Sequence, residues 1–413
     1  MTKPLEGIRV LSFVHALAGP ISTYLLADLG AEVIEIEEPT GASRRTGPDV
    51  PAVPGRPDQP WNRSTGTTRR SKLSFVLDVA KPSGRDVFLE LVGKCDIMIE
   101  NFSPRVLVKL GLNYDELVKV KPDIIQVSIS AFGKTGPYRD RTAYGPGLDA
   151  MSGIAHLTGY ADRGPGKPGP VLNDFNSGIL AAFSALAALR HRRRTGEGQY
   201  VEVSMLEAEV HSIADALIAL QFTHREPTRV GNAHPSAAPH NVYPCEGDDR
   251  WIAIACANDA EFRALTIAMG RPELSEDGRF ADAVSRKQNE ELLDGEVARW
   301  TRSQQNVQAQ DFLQRHGVPA GAVFDVKEVI WNEHSQARAL YQSASNDEIG
   351  EALYMRGPWR FRGTPSPITS GPPMFGEHND FVLRDLLGLS EECIAELERD
   401  GIVRQIPSSD GWW

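Results

Sequence analysis

Short apolar runs alternate with amphipathic segments along the first half of the chain. The apolar runs predict buried strands, and apolar residues spaced three or four positions apart predict helices that cover them. The predicted strands lie at 8–14, 32–37, 73–79, 96–100, 124–130 and 199–205. Because strands and helices alternate, the pattern predicts an α/β domain with a parallel sheet and helices on both faces.

The pattern of elements changes near residue 224, where shorter strands and more polar helices follow. A chain of 413 residues is long enough for two domains. We expect residues 1–223 to form the first part of a large domain with the parallel, Rossmann-like sheet. Residues 224–330 are predicted to form a smaller α/β domain, and residues 331–413 are predicted to return to the large one.

The longest predicted helix begins beside Asp174. A Gly/Pro-rich segment ends there, and Ile179, Ala182, Phe183 and Leu186 then recur at helical spacing. One interpretation makes Asp174 the N-cap, whose carboxylate accepts free amide hydrogens. The other makes it an ionised nucleophile that the helix start orients. Local pattern leaves both interpretations open.

Composition narrows the class of function. The net charge of -11 argues against nucleic-acid binding, which needs a basic face. There is no signal pattern and no run of 18 apolar residues, so we expect a soluble, cytoplasmic protein without a membrane partner. The four cysteines have no CxxC spacing, which predicts neither disulfides nor a metal site.

Loops that follow parallel strands are the expected ligand-binding positions. These are the segments 14–20, 101–105 and 132–138. The first lacks the GxGxxG pattern, which argues against a nicotinamide enzyme. Arg69-Arg70-Ser71-Lys72 precedes another strand, and its cations and hydroxyl suit phosphate oxygens. A solvated basic turn is the alternative interpretation of this segment.

Several longer motifs occur together and in order across nearly the whole chain. They are Pro4 to Leu11, Ala18-Gly19-Pro20, Leu25 to Ile34, Glu100-Asn101-Phe102, Ser130 to Gly133, Gly136-Pro137-Tyr138, Ser152-Gly153, Thr158-Gly159, Thr195 to Gln199 and Gly376-Glu377-His378. In this combination the chain resembles the class III (CaiB/BaiF-type) CoA-transferases, which include the formyl-CoA and carnitine CoA-transferases. The resemblance implies an interlocked, ring-like homodimer.

The resemblance also implies a mechanism. The family's catalytic aspartate matches Asp174, which would attack an acyl-CoA thioester and pass through aspartyl anhydride and aspartyl-CoA thioester intermediates. Such a relay needs an acyl-CoA and a carboxylic acid as substrates but no separate cofactor. Tyr144 matches a tyrosine near the active site of formyl-CoA transferase, where its hydroxyl would steady an anhydride oxygen.

The expected CoA contacts come partly from the resemblance and partly from charge and position. They are His15, Arg44, Arg69, Arg70, Ser71, Lys72, Asn101, Phe102, Arg105 and Lys134. For His15, a core histidine at a strand end is the alternative interpretation. Possible substrate contacts are Leu17, Asp149, His234 and His240, together with Trp61 and Tyr160.

The chain also differs from the family pattern. Glu35 stands where many members have lysine, which removes a cation near the nucleotide. Formyl-CoA transferase has glutamine at the positions of Leu17 and Asp149, and its glycine run has only the segment 231–240 as a counterpart. These differences argue against oxalate as the acceptor.

Two other functions are alternatives to CoA transfer. A racemase of the α-methylacyl-CoA type would have histidine at the position of Tyr144, and tyrosine is a poor base at neutral pH. A non-catalytic CoA-binding protein would have little use for Asp174, Tyr144 and the cation loop together. Transfer is therefore the preferred prediction.

Overall fold

The computed structural model describes residues 3–41, 67–169, 171–346, 350–364 and 368–405. Arg44 and Trp61, both predicted site residues, lie outside the described residues. The chain forms two compact units. The larger comprises 1–155, 167–224 and 337–413, and the smaller comprises 156–166 and 225–336. The smaller unit thus includes 156–166 besides the stretch that begins after 224, and the assignment of 1–223, 224–330 and 331–413 to two domains stays a prediction.

A six-stranded parallel sheet forms the centre of the larger unit, as the sequence predicts. Its strands are β1 Arg9–Phe13, β2 Glu32–Glu37, β3 Leu73–Val76, β4 Ile97–Glu100, β5 Ile125–Ser130 and β6 Gln199–Ser204. Their order is β3-β2-β1-β4-β5-β6. This is the order of Rossmann-type sheets, in which the direction of winding reverses between β1 and β4. A crevice is expected at the carboxyl ends of these two strands.

Helices cover both faces of this sheet. They are α1 Ala18–Asp28, α2 Pro82–Gly93, α3 Pro104–Leu110, α4 Tyr114–Val120, α5 Gly145–Met151, α7 Leu172–Thr195 and α8 Met205–Val210. Two further helices have no buried residue: α6 Ile154–Leu157, in which the chain passes into the smaller unit, and α9 Ala214–Thr223. Successive residues of one strand enter opposite cores: Val10 packs with α1 and α7, and Leu11 packs with α2. Each fully buried side chain of this kind contributes roughly 1.5–3 kcal/mol to folding.

Helix α7 is long and apolar enough to cross a membrane by length and composition alone, but half of that window is buried inside the larger unit. It crosses α1 closely at Gly178. A Cβ added there would lie 2.6 Å from Ile21 and 2.8 Å from the carbonyl oxygen of Ala18. The glycine therefore lets the start of α7 approach the start of α1.

The last part of the larger unit covers one edge of the sheet. The Ser74 amide of β3 donates to His378 Nδ1 over 3.2 Å, and the Val76 amide donates to Asn379 Oδ1 over 2.9 Å. Backbone groups of this strand that would otherwise lack partners are thereby satisfied. The hairpin β10 Tyr341–Asn346 and β11 Gly350–Met355 and helix α16 Glu391–Arg399 also belong to this unit.

The smaller unit contains an antiparallel three-stranded sheet, β7 His240–Pro244, β8 Trp251–Ala255 and β9 Ala320–Ala322. Its helices are α10 Asp259–Ala268, α11 Ala283–Gln288, α12 Glu290–Thr301, α13 Asn306–Arg315, α14 Val326–Trp331 and α15 Glu333–Ala337, the last of which ends at the unit boundary. Ile252, Phe262 and Leu293 lie in a separate hydrophobic core. This unit is therefore an α/β body with its own core.

Candidate functional site

The crevice between β1 and β4 is closed by hydrogen bonds between the loops that follow these strands. Asn101 Oδ1 accepts from the His15 amide, and Asn101 Nδ2 donates to the His15 carbonyl, each over 2.8 Å. The His15 ring lies 4.8 Å from the Phe102 ring, centroid to centroid. Burial lowers the pKa of His15, so the imidazole is neutral near pH 7. The structure thus brings together three predicted CoA contacts.

Asp174 is the third residue of α7, and Val171 holds the N-cap position. The N-cap interpretation of Asp174 is therefore wrong, because Asp174 lies three residues beyond the N-cap position. The amide of Ala18, the first residue of α1, favours the ionised form of its carboxylate and lowers its pKa. An amide in the first turn of a helix has no partner within that helix and lies at the positive end of the helix dipole. Two helix starts therefore converge on Asp174.

The Asp174 side chain is 9% exposed. Burial raises its pKa, the Ala18 amide opposes that shift, and the nearby carboxylate of Asp149 raises the pKa further. Such a carboxylate is poorly hydrated and has no lysine or arginine nitrogen within 4.0 Å among the described residues. A perturbed carboxyl group in a crevice is typical of a functional site.

Gly145, the first residue of α5, lies against the other side of this carboxylate. A Cβ added at Gly145 would overlap Asp174 Oδ2. Tyr144 occupies the N-cap position of the same helix, but its side chain is 77% exposed. The structure therefore places the Tyr144 backbone next to the residue that contacts Asp174. The predicted role of its hydroxyl stays a prediction.

Two further carboxyl groups belong to this part of the larger unit. Asp149 on α5 was a predicted substrate contact, whereas Glu209 on α8 was missed from the sequence. Both are buried, and burial raises the pKa of each. Asp149 acts electrostatically on both Asp174 and Glu209. Nothing in the helical spacing of 205–210 distinguishes Glu209 from a surface glutamate.

The cations of the predicted phosphate loop are buried in ion pairs. Arg69 contacts Glu35 over 3.2 Å and Glu37 over 2.6 Å, and Lys72 contacts Glu35 over 3.0 Å. Arg70 contacts Asp28 over 2.6 Å and lies over the Tyr24 ring. The alternative of a solvated basic turn is wrong, because these side chains are inside the protein. Their contact with CoA stays a prediction.

The remaining predicted cations lie near the ends of β4 and β5. Lys134 Nζ contacts Glu100 Oε1 and donates to the Phe102 carbonyl, each over 3.2 Å. Arg105 is exposed and forms a bidentate pair with Asp140 at 2.8 and 2.7 Å. Ser71 Oγ accepts from the Thr369 amide over 3.1 Å. Lys134 is thus the predicted cation that bridges directly to the Asn101 loop.

A cavity that the sequence did not reveal lies between the end of α3 and the start of α2. Its volume is about 310 Å³. The residues that line it are Val79, Ala80, Lys81, Pro82, Arg85, Asp86, Lys109 and Leu110. Three cations and the first turn of the twelve-residue α2 favour an anionic occupant. The one sequence signal for this cavity is that residues 79–82 lie in the loop after β3, a position where parallel sheets bind ligands.

Two predicted substrate residues meet in the smaller unit. His234 Nδ1 accepts from the amides of Ser236 and Ala237, each over 3.2 Å, and His240 Nδ1 donates to the Asn232 carbonyl over 2.6 Å. Their rings are 5.2 Å apart. Tyr160 Oη accepts from Asn232 Nδ2 over 3.0 Å in the same cluster. Their contact with substrate stays a prediction.

Leu17 lies in the larger unit at the N-cap position of α1 and packs against the hydrophobic core. Within the described ranges, no group of three or more His, Cys, Asp or Glu side chains is arranged to hold a metal ion. The candidate site therefore consists of Asp174 with its neighbouring helix starts, the His15–Asn101 bridge and the cation-lined cavity.

Residues 5–379 match the family model described as CoA-transferase family III. The chain belongs to this family. It is 34% identical over 409 residues to the succinyl-CoA–D-citramalate CoA-transferase of Chloroflexus aurantiacus, with 97% of this chain and 98% of the relative covered. It is 38% identical over 340 residues to the acetyl-CoA:oxalate CoA-transferase of Acetobacter aceti, covering 82% and 85%.

The fold also matches a solved member of the family. The crystal structure of a CAIB/BAIF family protein from Brucella suis superimposes with a TM-score of 0.85 at 32% identity, covering 94% of this chain and 100% of that one. The chain is thus a family III CoA-transferase, an enzyme with the α/β fold of CaiB/BaiF proteins.

Proposed function

We propose that this CoA-transferase works by covalent catalysis on Asp174. The observation that carries the proposal is the position of that carboxylate. It is nearly buried, lies at the start of α7 against Gly145 at the start of α5, and has its ionised form favoured by the first amide of α1. A carboxylate held in this way is oriented for attack and is shielded from competing water.

The chemistry balances without a separate cofactor. The Asp174 carboxylate attacks the thioester carbon of the donor, the C–S bond breaks, and an aspartyl anhydride and the CoA thiolate result. The thiolate then attacks the aspartyl carbonyl, releasing the donor acid and leaving an aspartyl-CoA thioester. The acceptor carboxylate reverses the two steps. The Ala18 amide supports negative charge on the Asp174 carbonyl oxygen when the CoA thiolate, and later the acceptor carboxylate, attacks the aspartyl carbonyl.

Coenzyme A is proposed to lie from the Asn101 loop to the cation-lined cavity. Helix α3 has seven residues, so it spans roughly 10 Å between the two sites. In this proposal the pantetheine arm packs against His15, Asn101 and Phe102. The phosphates lie near the cations Lys81, Arg85 and Lys109. Lys81 also donates to the Asp400 carbonyl over 2.6 Å, which fixes its direction.

The acceptor is proposed to be a dicarboxylic acid, and the donor the CoA thioester of a different dicarboxylic acid. The names of the relatives support this class: succinyl-CoA with D-citramalate in one, and succinate with glutarate in the Agrobacterium fabrum protein, which is 33% identical over 396 residues. The Acetobacter relative acts on oxalate, so oxalate belongs in the panel of acceptors despite the expectation against it.

We also propose a soluble, cytoplasmic homodimer. None of the ten residues of α9, all of which the structure describes, is buried. Ile218 and Phe222 on that helix and Phe183 on α7 are more than half exposed. Apolar side chains in this number are typical of a surface that another chain covers. A second copy of the chain is the proposed occupant.

The mechanism is tested by intact-protein mass spectrometry after incubation with a panel of acyl-CoAs, including succinyl-CoA. Hydroxylamine converts an activated carboxyl group to a hydroxamate, and peptide mapping locates it. We expect the hydroxamate on Asp174, its absence in Asp174→Ala, and its retention in Asp311→Ala, which alters an exposed aspartate of the smaller unit. A hydroxamate elsewhere would contradict the proposal, as would no adduct together with α-proton exchange, which is the racemase outcome.

A further inference from the structure

Three carboxyl groups from three helices lie in one buried region of the larger unit. Asp149 on α5 is 1% exposed, Asp174 on α7 is 9% exposed, and Glu209 on α8 is 0% exposed. Asp149 is the central member, because its charge acts on both of the others. Three negative charges in such a region would repel each other strongly and would each lose their hydration.

The three groups differ in how well the protein solvates their ionised form. The Ala18 amide and its own amide favour the ionised form of Asp174, and neither of its oxygens is both buried and without a hydrogen-bond partner in the described structure. Glu209 Oε2 accepts from Asn176 Nδ2 over 3.3 Å, while its Oε1 is buried without a hydrogen-bond partner in the described structure. Asp149 is the least solvated, since neither of its oxygens meets the geometry of a hydrogen bond to any described residue.

Other groups that face Asp149 do not change this ranking. The exposed Lys167 ammonium and the Asn173 amide favour its ionised form, but burial outweighs both. Asp174 and Glu209 are both acids and oppose its ionisation. When interacting acids cannot all be charged, the proton stays on the group whose anion has the fewest hydrogen bonds. That group is Asp149.

We propose that Asp149 is held as a neutral carboxylic acid in the working enzyme and is a positioning residue that leaves Asp174 as the ionised nucleophile. This inference rests on the proposed role of Asp174. At 1% exposure, Asp149 acts through Asp174 instead of touching substrate. The neutral acid also avoids a third negative charge where the carboxylate substrate must approach Asp174.

The proposal predicts that kcat/KM decreases at alkaline pH because Asp149 ionises there. Once Asp149 loses its proton, its charge opposes the approach of a carboxylate and alters the orientation of Asp174. The rate constant kcat/KM should then fall by about tenfold per pH unit above that ionisation. Asp149→Asn keeps a neutral side chain of the same shape and removes the ionisation. We expect its rate near neutral pH to change less than about tenfold, and its alkaline decline to disappear.

Infrared spectroscopy gives a readout that does not need activity. The full-length wild-type protein should show the carbonyl band of a buried, protonated carboxyl group at about pH 7. The band should be missing in Asp149→Asn and retained in Asp174→Asn. Loss of the band in Asp174→Asn but not in Asp149→Asn would overturn the proposal. Because the band is independent of turnover, a failure of covalent catalysis on Asp174 would be recognised separately by the hydroxamate experiment.

Glu209→Gln provides a second variant if Asp149→Asn fails to fold. Removing the neighbouring charge and adding an amide makes ionisation of Asp149 easier, so the alkaline decline should begin at a lower pH than in the wild type. An unchanged pH profile in Glu209→Gln would contradict the proposal. A structural role for Asp149 alone would lower thermal stability in these variants without moving the profile.

Discussion

The larger unit contains two sets of buried carboxylates that the protein treats differently. Asp28, Glu35 and Glu37 are in contact with Arg70, Arg69 and Lys72. Asp149, Asp174 and Glu209 are equally inaccessible, yet within the described residues none has a lysine or arginine nitrogen within 4.0 Å. We call these the paired set and the unpaired set.

The difference indicates which buried carboxyl groups have a structural role and which are reactive. A buried carboxylate with a buried cation forms a neutral structural unit, which is costly to break. A buried carboxyl group without a cationic partner is poorly solvated when it is ionised, and it lowers the stability of the fold. Asp174 of the unpaired set lies next to α1, where a nucleophile is needed. The paired set secures β2 and the segment before β3.

The largest expected effect is on catalysis in the unpaired set. Asp174→Asn should reduce CoA transfer by at least about 10³-fold, because an amide is no nucleophile for a thioester. The same change should stabilise the fold by about 1 kcal/mol, since a neutral amide at this buried position loses less hydration than the Asp174 carboxylate does. Steady-state kinetics and urea unfolding measure the two effects. A destabilised Asp174→Asn would remove the distinction between the sets.

The next effect concerns stability in the paired set. Lys72→Met removes a buried cation from Glu35 and should lower the free energy of unfolding by about 3 kcal/mol. Lys109→Met is the matched control, because Lys109 is exposed and lines the proposed phosphate cavity. It should leave stability unchanged and raise the KM for acyl-CoA by about tenfold.

This pair of variants also tests the role that the family resemblance implies for Lys72. If Lys72→Met left unfolding unchanged and raised the KM for acyl-CoA as Lys109→Met does, the cation would be a nucleotide contact. The paired set would then belong to the binding site. Urea unfolding with and without saturating CoA separates the two results.

Blocking the approach to Asp174 with a methyl group should have a smaller effect on catalysis than replacing Asp174 itself. Gly145→Ala places a methyl group on Asp174 Oδ2 and forces the nucleophile to shift, which should lower kcat by about 10²-fold. Gly147→Ala, on the same helix, would bring its Cβ only to 3.8 Å from the Ala143 Cβ and should retain the rate. Equal losses in both variants would indicate that α5 itself, and not the approach to Asp174, was disturbed.

The two sets also show which features of the fold and the site can be predicted from the sequence. The six strands along the chain, the parallel sheet and the helix that starts beside Asp174 follow from hydrophobic periodicity. The sequence could not decide whether Asp174 is an N-cap or a nucleophile, because the Ala18 amide that favours its ionised form belongs to a different helix. The burial of Arg69 and Lys72 likewise depends on which side chains of β2 face them, and Glu209 joins the site only through packing of α8.

The smallest effect on stability is expected at an exposed ion pair. It tests whether the paired set stabilises the fold because its ion pairs are buried. Arg105 forms a bidentate pair with Asp140, but its side chain is 79% exposed. Water and salt screen such a pair, so Arg105→Ala should not measurably change the melting temperature. If Arg105 contacts CoA, as predicted from the sequence, the variant should instead raise the KM for acyl-CoA, and more so at low salt. A melting temperature lowered as far as in Lys72→Met would show that ion pairing stabilises this fold regardless of depth.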